Sequence, residues 1–380
     1  MDIDYVCRSG MYTADQYIKW ESQDLSDLPT LRQAKEIAKQ LQVPFAALYM
    51  DRSFIPQIPD IPHYVDKRSY CEGSTINENA LRLAIIELAN MRELLLEAQN
   101  EFGTPIAEFD VCRPYGKSVV QMASLIREEF EIDINEQYQT TSKRQLFLYL
   151  KRKIEERGVF VQGFAGIPVE VVRGVALFYS TLPIVGINDK DRYPARSFTL
   201  VHELTHVINR SSSVCDDMFD HFSVSEEEVY CNAVAGEVLV PRGELVRYIE
   251  ANGNPNCISL DFVSSVADKF SVSREVIIRR LLDIRSISAT QYNSYASELQ
   301  EIYESSKEQA RLAEQSGSPS RRYMPNVARD TADSISFSLN KAFLMGYGLG
   351  EYSAQDITRY LGIKQKHFEA YLQEVAKWSS

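Results

Sequence analysis

"RSFTLVHELTHVINR", Arg196 to Arg210, sets two histidines four residues apart with a glutamate directly after the first. On a helix, residues i and i+4 share one face, so His202 and His206 converge on one point. Two neutral imidazoles placed this way suit a zinc ion, and Glu203 beside them suits the general base that activates water there. The competing reading is two buried histidines on an apolar helix face, with Leu200, Leu204 and Val207 as core. The chain has only five histidines, so an HExxH pattern is rare by chance and the metal reading is preferred.

A catalytic zinc takes three protein ligands and keeps one position open. HExxH does not specify the third. The next helical stretch, "SEEEVYCNAVAGEVLV" (Ser225–Val240), offers Glu226, Glu227 and Glu228. Glu228 is preferred because Asn232 lies four residues on, on the same face, where it could bond the first histidine and fix its tautomer. Glu227 and Glu237 stay open as alternatives. The three glutamates also suit the positive end of a helix dipole, with Ser225 as cap, whatever else they do.

The oxyanion of a transition state calls for a further positive or hydrogen-bonding group. His221, Tyr193, Arg196 and Tyr230 are candidates, and no spacing favours one of them. Cys215 lies in the loop "SSSVCDDMFDHFSV" (Ser211–Val224) between the two ligand-bearing helices. A thiolate there would fill the fourth position of the ion and hold the site closed. Its plainer reading is an inert packing cysteine.

Outward from this stretch, "VFVQGF" (159–164), "GVALFYS" (174–180) and "LPIVGIN" (182–188) are short, β-branched and aromatic, and are separated by Gly and Pro. They read as three strands. Helices are expected over 77–100, 117–130 and 141–157, and Pro241 should end the glutamate helix. The expected fold class is α+β: mostly helical, with a small three-stranded sheet packed on the HExxH helix and flanking helical domains. The expected order is a short helical region (1–52), a Pro-rich linker (53–76), a helical region (77–135), the metal-binding core (136–250), a helical segment (251–310), a second linker (311–325) and a C-terminal helical domain (326–380). That last domain reads as amphipathic helices for packing, sensing or partner binding.

HELTH preceded by "RSFTLV" and followed by "EVYCNAVAGEVLVP" resembles the ImmA/IrrE family of zinc metallo-endopeptidases. The resemblance extends to "LKRKIEERGVFV", "RGVALF", "PIVGIN" and "SVSREVIIRRL", and so covers at least Thr141–Leu282. It implies a zincin-like core with His202, His206 and Glu228 as zinc ligands and Glu203 as base. It also implies a narrow substrate: a repressor or antitoxin-type helix-turn-helix protein in a mobile-element or defence locus, whose cleavage switches transcription under stress. Thr205 stands where the family usually carries a small residue, often Gly.

"YIKWESQDLSDLPTLRQAKEIAKQLQVPFAALY" (17–49) resembles the second half of a phage-repressor-type helix-turn-helix domain. Too few residues precede it for the first two helices of such a domain. A docking or structural use is therefore expected before DNA reading.

Composition agrees. The 380 residues are 44% hydrophobic and 25% charged, with a formal net charge of -12. Such an acidic chain repels phosphate backbones, so direct DNA binding is not expected. "ALRLAIIELANMRELLLEA" (80–98) is too charged to span a bilayer, and "MDIDYVCRSG" is not a signal peptide. No membrane association and a cytoplasmic location are expected. Six scattered cysteines with no CxxC read as free thiols. The rival function is a non-proteolytic regulator or antitoxin-like protein whose zinc site is structural or vestigial.

Overall fold

The computed structural model describes residues 3–378 apart from 8, 23–26, 42, 44, 51–59, 67–77, 104–105, 107, 112–117, 216–225, 254–257 and 316–325. The chain forms two compact units, one of residues 1–60 with 75–86, the other of residues 61–74 with 87–380.

The first unit gathers Val6, Tyr12, Tyr17 and Ile37 into a small core. Its helix Ala14–Glu21 starts with a capping box of Thr13 and Gln16. Helix Leu31–Leu41 has the same device. The Gln33 amide donates to Thr30 Oγ1, and the Thr30 amide donates to Gln33 Oε1.

The second unit is α+β. Its strands are β1 (Val65–Asp66), β2 (Phe160–Phe164), β3 (Gly174–Leu177), β4 (Ile184–Asn188) and β5 (Ser213–Cys215). They form one sheet in the order β1-β5-β3-β4-β2. β3 runs antiparallel to β4 and β5, while β2 pairs parallel with β4 and β1 with β5. The three expected strands are β2, β3 and β4. The sheet is nonetheless wider than the expected three strands. β5 and β1, with three and two residues, are too short to show an alternation of apolar and polar residues. β1 also falls in the proline-rich stretch read as a linker.

Strands β3 and β4 are buried along their whole length, so they read as nearly continuous apolar runs rather than alternating ones. Three helices build up the layer beside the sheet. α1 (Lys143–Glu156) turns Leu146, Phe147, Leu150 and Ile154 inward. α2 (Tyr193–Ile208) carries HELTH and is buried from Ala195 to Ile208. α3 (Glu226–Leu239) follows and packs along α2. α2 lies on β3 and β4. A helix enclosed on all sides needs an apolar surface all round. Histidines and a glutamate there cost free energy unless each has a partner.

The C-terminal helices belong to the same unit. α4 (Val327–Ser334) ends against α1, where the buried Lys151 Nζ donates to the carbonyls of Asp333, Ser334 and Ile335 at 2.8, 3.0 and 2.8 Å. These carbonyls end a helix and lack partners within it, so the ammonium caps α4. No helix among the described residues is long and apolar enough to cross a membrane.

Candidate metal centre

The HELTH helix sets its two histidines edge to face, with ring centroids 5.0 Å apart. His202 Nε2 and His206 Nε2 are 3.2 Å apart. Glu228, from the first turn of α3, brings Oε2 to 3.0 Å from His202 Nε2 and Oε1 to 3.1 Å from His206 Nε2. Cys215 comes from the end of β5. Its Sγ lies 3.6 Å from Glu228 Oε2 and 3.9 Å from His206 Nε2. All four residues are buried, and their donor atoms lie within 4.8 Å of one another.

The far side of each imidazole sets its tautomer. His202 Nδ1 is 2.8 Å from Asn232 Oδ1, which can only accept, so Nδ1 carries the proton. His206 Nδ1 faces Glu227 Oε1 at 3.3 Å and Ser211 Oγ at 3.2 Å, and the carboxylate again places the proton on Nδ1. Both Nε2 atoms then present lone pairs to each other and to carboxylate oxygens. Four acceptors crowded in this way repel unless a cation lies among them.

The separations fit that cation. Zinc bonds of about 2.05 Å to N or O and about 2.3 Å to S, arranged tetrahedrally, put N and O donors roughly 3.3 Å apart and sulfur roughly 3.6 Å from either. The chemistry of the set, two imidazoles, a carboxylate and a thiol, also suits zinc.

The sequence alternatives to Glu228 face elsewhere. Glu227 holds the outer nitrogen of His206 and accepts from Ser211 Oγ at 2.9 Å. Glu237 pairs with the buried Arg280 and accepts from the Arg242 amide at 2.8 Å. Tyr193 is the first residue of α2, nine residues before His202 and so roughly 13 Å from it along the axis. Its hydroxyl donates to Asp333 Oδ2 at 2.7 Å. Arg196 Nε donates to the Asp191 carbonyl at 2.9 Å, and its Nη1 approaches Asp189 Oδ1 at 3.4 Å. Tyr230 is two residues past Glu228 on α3, a spacing that points it to a different face. His221, and Ser225 as the cap of α3, lie outside the described residues.

Glu203 lies between the metal cluster and the sheet, with its Oε1 against Gly174 on β3. Its Oε1 has no hydrogen-bond partner among the described residues, and its Oε2 is 3.5 Å from Ser213 Oγ. Burial pushes its carboxyl above the usual range, against the pull of His202 and His206. A carboxyl so placed holds a proton more readily than a free glutamate does. Glu228 goes the other way. Burial opposes its ionised form, but the adjacent His202 and His206 outweigh burial and hold it well below the usual carboxylate range. Burial lowers His206, yet Cys231, Cys215 and Glu227 outweigh burial and leave it raised. Burial pushes up both cysteines, and the neighbouring Glu203 raises Cys215 further. Only a cation within bonding distance would hold Cys215 as thiolate.

Residues 164–282 match the family model of the IrrE N-terminal-like domain, Peptidase_M78. Over these residues the chain is similar to the IrrE-type family. No curated protein matches the chain. The match runs from the last residue of β2 into the helix Arg274–Asp283 and encloses His202, His206, Cys215 and Glu228. The IrrE-type domain departs from the family's small residue at Thr205 without strain, because Thr205 Oγ1 donates to the Val201 carbonyl at 2.8 Å.

Two contributors to this IrrE-type site escape a reading of the sequence. Gly174 is one. A Cβ there would meet Glu203 Oε1 at 2.4 Å and Thr199 Cγ2 at 2.5 Å, so the bare backbone makes room for the Glu203 carboxyl. Ser213, beside Glu203, is the other. Gly174 lies 28 residues before HELTH and Ser213 seven residues after it, and the sheet register brings both beside Glu203.

Proposed function

We propose that the chain is a zinc-dependent endopeptidase. The observation that carries this reading is the convergence of His202, His206, Cys215 and Glu228 beside a buried carboxylate, Glu203, one of whose oxygens has no hydrogen-bond partner among the described residues. His202, His206 and Glu228 would hold the ion, with Asn232 and Glu227 fixing the two ring tautomers. When bound, the ion supplies Lewis acidity, lowering the pKa of water and polarising a peptide carbonyl. Glu203 accepts a proton from water and returns it to the leaving amine. The enclosed surroundings keep Glu203 poorly solvated, which strengthens its basicity.

The substrate we propose is a repressor or antitoxin-type helix-turn-helix protein, as the family resemblance implies, in a mobile-element or defence setting. The N-terminal unit serves docking in this view, consistent with the acidic chain. A second reading has one observation in its favour. Four protein donors are the mark of a closed, structural zinc site, which suits a non-proteolytic regulator. Glu203 argues the other way, since a purely structural site has no use for a buried base beside it.

Co-expression with the helix-turn-helix protein encoded beside this chain separates the two. A single cut in that protein, lost in Glu203→Gln while the metal content stays unchanged, is the expected result. An intact neighbour under every inducing condition, with zinc bound, refutes the peptidase reading.

A further inference from the structure

Three protein donors would leave an ion in this site open to water, but the fold supplies a fourth. Cys215 Sγ reaches Glu228 Oε2 at 3.6 Å and His206 Nε2 at 3.9 Å, close to the roughly 3.6 Å of a tetrahedral thiolate edge. A second, independent feature points to the same spot. Glu203 is fully buried, its Oε1 lacks a partner among the described residues, and its Oε2 borders Ser213 on the strand that carries Cys215. Ser213 and Cys215 are two apart on β5, so they share one face of the sheet and both look at the metal cluster.

Cys231 is also near, with Sγ 3.8 Å from His206 Nδ1. That is the nitrogen turned away from Glu228 and His202, so Cys231 sits behind the ring and outside the donor set. The register of the sheet holds Cys215 in place, because the residue opposite it on β3 is Gly174. A strand-end thiol paired this way is positioned by backbone bonds rather than by a loop.

We propose that Cys215 is the fourth ligand of the metal ion and that the resting enzyme is therefore closed. This rests on the metallopeptidase reading and adds its regulation. Opening is a ligand exchange: the thiolate leaves, takes a proton and turns aside, and water enters the position it held. The proton comes from the entering water, so the metal–sulfur contact and one O–H bond break, no oxidation state changes and no oxidant is needed.

The test uses the full chain, stripped of metal and reloaded with cobalt(II), read by absorption. Wild type should show a thiolate-to-cobalt charge-transfer band in the near ultraviolet beside strong visible bands of a four-coordinate site. Cys215→Ser should keep cobalt on His202, His206 and Glu228, lose the charge-transfer band, and bind zinc at least about tenfold more weakly in a chelator competition. Cys231→Ser should keep the band. Cobalt bound by wild type without the band overturns the proposal while leaving the three-ligand metal site intact. A band lost in Cys231→Ser and kept in Cys215→Ser also overturns it. Wild type that binds no cobalt or zinc at all overturns the metallopeptidase reading itself, a result distinct from either of these. The wild-type spectrum needs no variant to fold.

Discussion

Asp333 joins three elements, and its removal gives a calculable result. Its carboxylate is fully buried and accepts from Arg144 Nε and Nη2, both at 2.6 Å, and from Tyr193 OH at 2.7 Å. Arg144 is on α1, Tyr193 begins α2, and Asp333 lies in α4. The bond is therefore a two-pronged guanidinium–carboxylate fork that ties the C-terminal helices to the start of the HELTH helix. Truncating one member of a buried pair costs about 3–5 kcal/mol, because the other charge is left without compensation. In Asp333→Ala the orphan is Arg144, whose side chain is 28% exposed and can turn toward water. The loss should fall at the low end, about 3 kcal/mol. In Arg144→Ala the orphan is a carboxylate with no exposure, so that loss should reach about 4–5 kcal/mol. Tyr193→Phe removes one neutral donor and should cost about 1 kcal/mol.

Trp378 reports on these variants. Its ring meets Phe337 edge-on at 4.7 Å, within the C-terminal helices. The other tryptophan, Trp20, has an indole N–H without a partner among the described residues, so Trp20→Phe silences it at no loss of a hydrogen bond. Urea unfolding followed at Trp378 should show its midpoint falling by about 1–3 M in Asp333→Ala, for a slope of about 1–3 kcal/mol/M. The expected order of loss is Arg144→Ala, then Asp333→Ala, then Tyr193→Phe. A cost of less than about 1 kcal/mol for Asp333→Ala would show that the fork does not hold the C-terminal helices, and the reasoning would fail.

Two further outcomes follow from the same core. Gly174→Ala should push Glu203 off its position and cut cleavage of the partner protein by about 10²-fold or more, the contribution of a general base, with zinc affinity within a few-fold of wild type; wild-type cleavage rates would refute the steric reading of Gly174. Glu155 is pushed up to about 7 by burial, with Lys151 and the bonds from Ser336 and Ser338 working against that rise. Its folded value is raised, so its contribution is fully present below about 4.5 and is lost as pH rises through about 7, at most about 3 kcal/mol. Glu155→Gln can accept the same two bonds and should flatten this window in urea titrations at Trp378, whereas equal pH slopes in both proteins would refute the assignment.

The parts of the molecule that the sequence made readable are those whose signal is local. HELTH fits within one and a half turns of helix, and β2, β3 and β4 are long enough to show runs of apolar residues between Gly and Pro. What escaped depends on residues far apart in the chain. Asp333 bonds Tyr193 across 140 positions. Lys151, which reads as one more charge on a basic helix, caps a helix more than 180 residues away. β5 has three residues and β1 two, and no alternation can be read over so few. Gly174 looks like a strand-starting glycine until the position of Glu203 is known.

The pairing of Gly174 with Cys215 shows how much rests on one rung of the sheet. Gly174 lies under Glu203, so the absence of its side chain determines where the base can go. Cys215, across the same rung, supplies the sulfur beside Glu228 and His206. A shift of β5 by one residue would turn Ser213 and Cys215 to the opposite face and bring Val214 toward the metal cluster, because side chains alternate along a strand. The base would lose its hydroxyl neighbour and the ion its fourth donor together. β5 is short, but β3 on one side and β1 on the other hold its register. Room for the base and closure of the ion are therefore set by the same backbone hydrogen bonds. Any perturbation that loosens β5 should change both at once, whereas Cys215→Ser changes closure alone.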